Sequence, residues 1–399
     1  RRARILTRTD GSVAVAVIPP LTPGERSRRG HRLLIEREAG PLRPGVFLES
    51  FGGRSAGDNP AAICEDLAAH GVGAPLWWSV VDGTVRVPAG ARPVVVGSPQ
   101  WVEALRTSRV IVTNDHLPSW FSKREGQHLL QTWHGTPIKK LLHDAPRAVT
   151  LRYRRLMDRQ VPQWDLLLAQ SPQAGRRLQQ ALGYRGPVRV GEYPRNVRLL
   201  GGAEVRRRVR HELGIAPGQP VILYAPTWRE SLRPSTGAAG CATVHGPGPV
   251  GALDGPRLAE LLDAVVLMRS HHMNRAGCVP GMIDVSGYPS VEELMLAADI
   301  LVSDYSSIFF DFALTGKPAV VYAPDLASYR DVERGLYGDW PLGSGLPVAA
   351  DHDELASHLQ RLLGDIDVAE GRYSPLEVEP VPILDNLTWI RGWIARFLS

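Results

Sequence analysis

Eight apolar runs of four residues recur along this chain with helical stretches between them: Val46–Glu49, Val94–Gly97, Val110–Thr113, Leu166–Ala169, Val221–Tyr224, Val265–Met268, Ile300–Ser303 and Ala319–Tyr322. Strands this short and apolar, alternating with helices, belong to parallel sheets covered on both faces. Eight are too many for one compact sheet, and 399 residues exceed the roughly 100–200 of a single domain. The fold class is therefore α/β, with two doubly wound, Rossmann-like domains. Ligands of such sheets bind in the cleft at the carboxyl ends of the strands.

Residues 1–45 read as short β-segments, Ser12–Ile18 and Arg32–Glu36, separated by Pro/Gly turns. The first domain is expected over 46–195 and the second over 196–384, with Pro194–Leu200 as the crossover. Ser231–Gly255, rich in Gly, Pro, Ala and Ser, reads as an irregular surface loop. Over 385–398, Leu387, Trp389, Ile390, Trp393, Ile394, Phe397 and Leu398 fall at helical spacing, which suits a helix packed back on the first domain. The chain begins at Arg1 without a methionine, as expected of a piece of a longer polypeptide whose upstream region ends in residues 1–45.

Composition narrows the function. A hydrophobic content of 44% is too high for a disordered chain. Three cysteines at long, irregular spacings (Cys64, Cys241, Cys278) exclude a disulfide scaffold and a four-cysteine zinc site. No apolar run approaches about 18 residues and no secretory signal is visible, so a soluble, cytoplasmic protein is expected. The net charge is +5. Only Lys123, Lys139, Lys140 and Lys317 among the 46 basic residues are lysines. Arginine is the better fork for phosphate oxygens, so the balance permits an anionic partner without naming it. Nucleic acid has no recognised motif here.

Some motifs match only in letters. Gly246-Pro-Gly-Pro-Val-Gly251 satisfies the dinucleotide fingerprint, but it lacks a preceding strand and carries two prolines. Gly53-Arg-Ser55-Ala-Gly57 satisfies the nucleophile elbow. There Phe51-Gly52 intervenes where the turn must be tight, and no oxyanion segment follows. Asp351-His-Asp353 and Asp365-Ile-Asp367 read as solvated helix ends rather than metal ligands.

Three constellations carry more weight. Ile300-Leu-Val-Ser-Asp304-Tyr-Ser306-Ser307 leads from a buried strand through a polar turn into a helix reaching Asp311. Ser306 and Ser307 fall at its N-cap and first turn, where free N–H groups, hydroxyls and the helix dipole favour a pyrophosphate. Val265-Val-Leu-Met-Arg269-Ser-His271-His272 ends another strand in a basic cluster that suits the same anion. Gln131-Thr-Trp133-His134-Gly135-Thr136-Pro137-Ile-Lys139-Lys140 holds a histidine in a stiff turn, with Asp144 close enough in sequence to orient it. A positioned imidazole is the usual proton acceptor near neutral pH. A capped helix, a solvated basic cluster and a satisfied core histidine are the plain alternatives.

Trp133-His134-Gly135-Thr136-Pro137 and the following lysines resemble the signature of the CDP-glycerol glycerophosphotransferases, the teichoic acid primases and polymerases and related capsule polymerases. The resemblance continues in order through Phe47-Leu-Glu-Ser50-Phe51-Gly52…Asp58-Asn59-Pro60, Gly191-Glu-Tyr-Pro194-Arg195-Asn196 and Tyr224-Ala-Pro-Thr227-Trp-Arg229. It ends with Arg269-Ser-His271, Ser303-Asp304-Tyr305-Ser306-Ser307…Asp311 and Tyr329…Arg334-Gly335…Tyr337-Gly-Asp339. It covers about residues 46–340. Leu142 and His143 stand where the family has a glycine-containing spacer, and Val197 replaces an acidic residue often seen there.

The resemblance implies a glycosyltransferase B architecture, with the two domains facing a cleft. Donor CDP-glycerol or CDP-ribitol, glycerol favoured, would lie on the C-terminal domain with its pyrophosphate near Arg269, His271, Ser306 and Ser307. His134, oriented by Asp144, would deprotonate the terminal hydroxyl of a lipid-linked polyol-phosphate acceptor as it attacks phosphorus and releases CMP. Ser50, Asn59, Thr136, Arg195, Thr227, Arg229, Asp304, Asp311 and Arg334 would line the cleft. No cofactor is tightly bound and no protein metal site is implied, any Mg²⁺ riding on the donor pyrophosphate. The protein would sit peripherally on the inner face of the cell membrane. Arg147–Arg159, basic residues interleaved with Leu151, Leu156 and Met157, suits anionic lipid or a merely solvated face. A nucleotide-sugar glycosyltransferase and a non-catalytic binding module remain alternatives.

Overall fold

The computed structural model describes residues 3–7, 12–17, 21–145, 149–227, 253–269, 281–365 and 382–398. It divides into two units, one of Arg1–Thr136, Val149–Val197 and Glu379–Ser399, the other of Pro137–Ala148 and Arg198–Val378. Fifteen strands are described. β1 (Ala3–Thr7) and β2 (Val13–Val17) form an antiparallel pair in the first unit. The sequence suggested a strand over Arg32–Glu36, but these residues close a helix, Arg28–Glu36. Ser27 caps that helix by accepting the Gly30 N–H at 2.8 Å, and Arg32 pairs with Glu36 one turn on. The local cap and the i,i+4 pair outweigh the strand-like Leu33-Leu34-Ile35 run.

The first unit's sheet comprises β3 (Arg43–Glu49), β4 (Leu76–Val80), β5 (Arg92–Val95), β6 (Ser108–Thr113), β7 (His128–Gln131), β8 (Leu166–Ala169) and β9 (Val188–Val190). All neighbours are parallel, in the order β5-β4-β3-β6-β7-β8-β9. Alternation sorts each strand between faces. Val46, Leu48, Val110, Val112, Leu130, Leu166 and Leu168 share one core with Ile63 and Leu67 of helix Asp58–Ala69 and with Leu387, Ile390 and Ile394 of helix Ile383–Ala395. Phe47 points the other way, edge-on to Trp101 of helix Pro99–Thr107.

The second unit's sheet comprises β10 (Val221–Tyr224), β11 (Val265–Met268), β12 (Ile283–Asp284), β13 (Ile300–Ser303), β14 (Ala319–Tyr322) and β15 (Val348–Ala349), parallel in the order β12-β11-β10-β13-β14-β15. Val221, Leu223, Leu301 and Val321 face one core. Ile222, Tyr224, Val302 and Val320 face the other. The sequence anticipated most of these strands. It passed over β1, β4, β7, β9, β12 and β15, whose apolar runs are brief or broken by polar residues.

Pro137–Ala148 falls within the expected 46–195 domain, yet it groups with the second unit. Two backbone bonds sew it there, Tyr337 N–H to Ile138 O at 2.7 Å and Lys140 N–H to Gly335 O at 3.0 Å. Ile138 is buried in that unit's core.

In each sheet the strand order reverses once, between β3 and β6 and between β10 and β13. Ligands of open parallel sheets bind at the carboxyl ends of the strands flanking such a reversal. The first point is bounded by Glu49-Ser50 and Thr113-Asn114, the second by Tyr224–Thr227 and Ser303–Asp304.

Candidate active site

At the first unit's reversal, Asn114 leaves β6 fully buried and binds three neighbours. Its Oδ1 accepts the Phe51 N–H at 2.9 Å, its Nδ2 donates to Ser50 Oγ at 3.4 Å, and its carbonyl lies 2.8 Å from His134 Nδ1. A carbonyl can only accept, so Nδ1 carries the proton. In the neutral ring the lone pair then resides on Nε2. The ring stacks on Trp133 at 4.8 Å, and Phe51 tilts toward it at 5.7 Å. His134 is itself exposed while Thr132, Trp133, Gly135 and Thr136 are buried. An accessible Nε2 on an immobilised imidazole is what general-base chemistry requires.

The main chain beneath the ring is held as firmly. Asn59 donates to the carbonyls of Thr132 (3.4 Å) and Trp133 (3.2 Å), and its Oδ1 accepts the Arg195 N–H. Arg195 Nη1 donates to the His134 carbonyl at 2.9 Å and to Asp58 Oδ1 at 3.1 Å, in an ion pair whose side chains are 8% and 9% exposed. Thr136 Oγ donates to Gln170 Oε1 at 2.6 Å. Phe51 (φ 48°), Asp58 (φ 63°) and Trp133 (φ 53°) all adopt left-handed backbone. Such conformations cost on the order of 1–3 kcal/mol each and persist where surroundings over-determine them.

Ser50, Asn59, Thr136 and Arg195, expected to line a cleft, are instead buried supports of His134. Asp144 is engaged within its own unit. It belongs to the second unit, where its Oδ2 accepts the Tyr337 hydroxyl at 2.5 Å. Asn114, whose carbonyl orients the ring, was missed, as were Gln170 and Glu192 of the same buried network. The position of Asn114 directly after a strand was the available signal. Ser55 accepts the Gly57 N–H at 3.1 Å in a local turn, as no strained elbow would.

At the second unit's reversal, Asp304 is buried and its Oδ1 accepts the N–H groups of Thr227 (2.9 Å) and Tyr305 (2.6 Å). Trp340 Nε1 donates to its carbonyl. This fixes the loop that presents Ser306 and Ser307, both half-buried. Ser306 Oγ accepts the Ile308 N–H at 3.3 Å, whereas Ser307, the N-cap of helix Ile308–Ala313, makes no side-chain cap bond. Asp311 is buried in that helix. Arg269 departs from expectation. Its Nη1 donates to the carbonyls of Val285 (3.2 Å) and Tyr288 (2.8 Å), and burial lowers its pKa, so it braces the loop after β12. Arg334 Nε donates to the Lys140 carbonyl within the same unit. His271, Arg229, most of Ser231–Gly255 with its Gly246–Gly251 motif, and Asp367 lie outside the described residues. Asp351 accepts the N–H groups of Asp353 and Glu354, an ordinary helix start. Among the described residues, no group of three or more His, Cys, Asp or Glu is placed to hold a metal.

Two parallel-sheet units with polar loops at their reversals, one presenting a tautomer-fixed imidazole, define an α/β chain. The chain belongs to the CDP-glycerol:poly(glycerophosphate) glycerophosphotransferase family, whose model matches residues 41–377. It is similar to a teichoic acid poly(glycerol phosphate) polymerase of Staphylococcus epidermidis, at 30% identity over 82% of this chain and 47% of that protein. It is also similar to a teichoic acid glycerol-phosphate transferase of Staphylococcus aureus, at 31% identity over 79% of this chain and 83% of that protein. The chain thus spans about half the length of the first of these. A ribitol-phosphate polymerase of S. aureus matches over 32% of this chain. Among solved structures, a variant of the wall teichoic acid polymerase TagF superposes with a TM-score of 0.78 at 26% identity, covering 94% of each chain. A Neisseria meningitidis UDP-GlcNAc 2-epimerase shares the fold alone, at TM-score 0.51 and 13% identity over 88% of this chain and all of that one.

Proposed function

We propose that this chain transfers glycerol phosphate from CDP-glycerol to the terminal hydroxyl of a polyol-phosphate acceptor, releasing CMP. The observation that carries the reading is the exposed His134, with Nδ1 committed to the Asn114 carbonyl and Nε2 therefore its basic nitrogen, in a chain of this family. Nε2 takes the acceptor's hydroxyl proton as the oxygen attacks the β-phosphorus. The bond from that phosphorus to the oxygen bridging to CMP breaks, and CMP leaves with the electron pair. Transfer of this kind rests on positioning and charge stabilisation.

In this reading the two units are doubly wound, Rossmann-like domains of the glycosyltransferase B type, the first serving the acceptor and the second the donor. The second supplies Ser306 and Ser307 to the pyrophosphate, on a loop held by Asp304, with any Mg²⁺ arriving on the phosphates. Glycerol is preferred to ribitol because the glycerol-phosphate relatives match over far more of this chain.

The acceptor is lipid-linked, and the protein works peripherally at the inner face of the membrane. Helix Leu151–Gln160 supports this, with Leu151 65% exposed and Arg155 exposed on the same helix. Such a face suits anionic lipid. No described helix is long and apolar enough to cross a membrane.

The test measures CMP release from CDP-glycerol and CDP-ribitol, with and without a glycerophosphate-primed lipid acceptor, beside His134→Ala. Acceptor-dependent CMP from CDP-glycerol, lost in the variant, supports the reading. Folded protein silent with both donors overturns it.

A further inference from the structure

A cavity of about 640 Å³ opens within the first unit beside the His134 turn. Its volume lies within the range of about 300–1,000 Å³ typical of small-molecule sites. Its walls come from the segments that hold His134. Glu49 and Gly52 flank Ser50 and Phe51, and His116 follows Asn114 by two residues. The first turn of helix Leu151–Gln160 supplies Arg152 and Tyr153, and its last turn Arg159.

The lining has a definite chemistry. Glu49 is 2% exposed. Its Oε2 accepts the Ser79 hydroxyl at 2.6 Å, while its Oε1 has no partner among the described residues. The carboxyl lines the cavity wall, so this second oxygen can take a hydrogen bond from a ligand there. Burial pushes its pKa up to about 7, so at and below neutrality the group is a hydrogen-bond donor as well as an acceptor. His116 Nδ1 lies 2.8 Å from Asp115 Oδ1, which raises the imidazole's pKa and favours imidazolium. The Asp115 carboxylate is already shared with His116 and, at 3.8 Å, with Arg54. Arg152 and Arg159 are exposed at the rim, and the start of helix Leu151–Gln160 adds its positive dipole end. The cavity therefore offers cations at the mouth and, in the wall, one carboxyl with an oxygen facing it.

We infer that this cavity is a subsite for the acceptor polymer behind its reacting end, taking a phosphodiester on Arg152, Arg159 and His116 and a polyol hydroxyl on Glu49. The inference rests on the function proposed above and names the substrate segment that the first unit grips. An acyl chain would suit Trp101, Leu117 and Leu156 of the wall but would cover Glu49 with hydrocarbon and bring no anion to the rim arginines. A single free hydroxyl would not use the cations. A repeating polyol phosphate carries both a phosphodiester and hydroxyls in every unit, and so can use both.

The test titrates a synthetic, lipid-free oligomer of three glycerol phosphates into the whole chain by calorimetry, without donor. The variants are Arg152→Ala/Arg159→Ala, Arg152→Lys/Arg159→Lys and Glu49→Gln, with melting curves to confirm folding. Losing two charge-assisted contacts weakens binding by about tenfold or more. The lysine pair is expected to retain part of it, and Glu49→Gln to weaken the trimer while leaving binding of CDP-glycerol unchanged. Equal trimer binding by wild type and all variants, or no binding by wild type, overturns the subsite. Acceptor-dependent CMP release in the same preparations judges the function separately. Transfer that persists without a change in trimer binding removes the subsite and leaves the function standing. Trimer binding lost in the variants, without any transfer, keeps the subsite and removes the proposed reaction.

Discussion

The two strand-order reversals are built to opposite specifications. At the first, His134 is held through its ring nitrogen, its stacking on Trp133 and its carbonyl, above a buried polar network. At the second, Asp304 secures the loop but the two serines on it stay half-buried, and Ser307 leaves its helix uncapped by a side chain. Under the proposed function the first group must present one lone pair in one direction, which suits a ring held at Nδ1 and on a stacked face. A site for an anion needs donors that remain unspent. Under that proposal the rigidly held group is the one that moves the proton, and the loop with donors to spare is the one that meets the charge.

This contrast can be broken by substitution. His134→Ala should lower turnover by at least about 10²-fold with donor binding intact. A smaller loss in single-turnover CMP release would remove the base from the first site. Arg195→Ala comes next. It strands Asp58 in a buried pair, a defect worth about 3–5 kcal/mol, and frees the His134 carbonyl. Both Tm and kcat should fall while the donor KM holds. A rise in donor KM alone would make Arg195 a ligand group instead of a support. Ser306→Ala with Ser307→Ala should behave in the opposite way. Donor KM should rise by about tenfold, the loss of one good hydrogen bond to a charged group, with stability changed by less than about 1 kcal/mol. Marked destabilisation in denaturant melts would show that the serines serve the fold.

Glu49 gives the smallest and most specific effect. Its pKa is raised from 4.5 to about 7, so between those values the native chain binds a proton that the unfolded chain has released. Stability from this group is full below pH 4.5 and declines as pH rises to about 7. Glu49→Gln should flatten that decline, raising Tm relative to wild type at pH 8 by roughly 2–4 °C and little at pH 5. A parallel shift at both pH values would mean that the carboxyl is ionised in the fold.

Much of this was legible beforehand. Four-residue apolar runs such as Val110–Thr113 and Ile300–Ser303 lie within the observed strands, because a strand buried on both faces leaves no room for polar residues. His134 stood out through its stiff neighbours. Its partner did not, because the acceptor is a main-chain oxygen twenty residues away that any side chain could have carried. Asp144 was attractive through proximity in sequence, yet Tyr337, nearly two hundred residues distant, claims it. Arg269 looked like a free cation because nothing local announces that the carbonyls of Val285 and Tyr288 will take its Nη1 protons. Short-range chemistry is written in neighbouring letters, whereas long-range pairing is settled by topology.

The oxygen that fixes the His134 tautomer belongs to the peptide bond of residue 114, not to a side chain. Where a carboxylate orients a catalytic histidine, one codon change deletes it and a mutational scan finds it. Here every replacement at position 114 keeps the orienting atom, so even a saturating scan would register Asn114 only through Ser50 and Phe51. The component that decides which nitrogen is basic is hidden from genetics. Replacing the amide linkage after residue 114 by chemical synthesis would expose it.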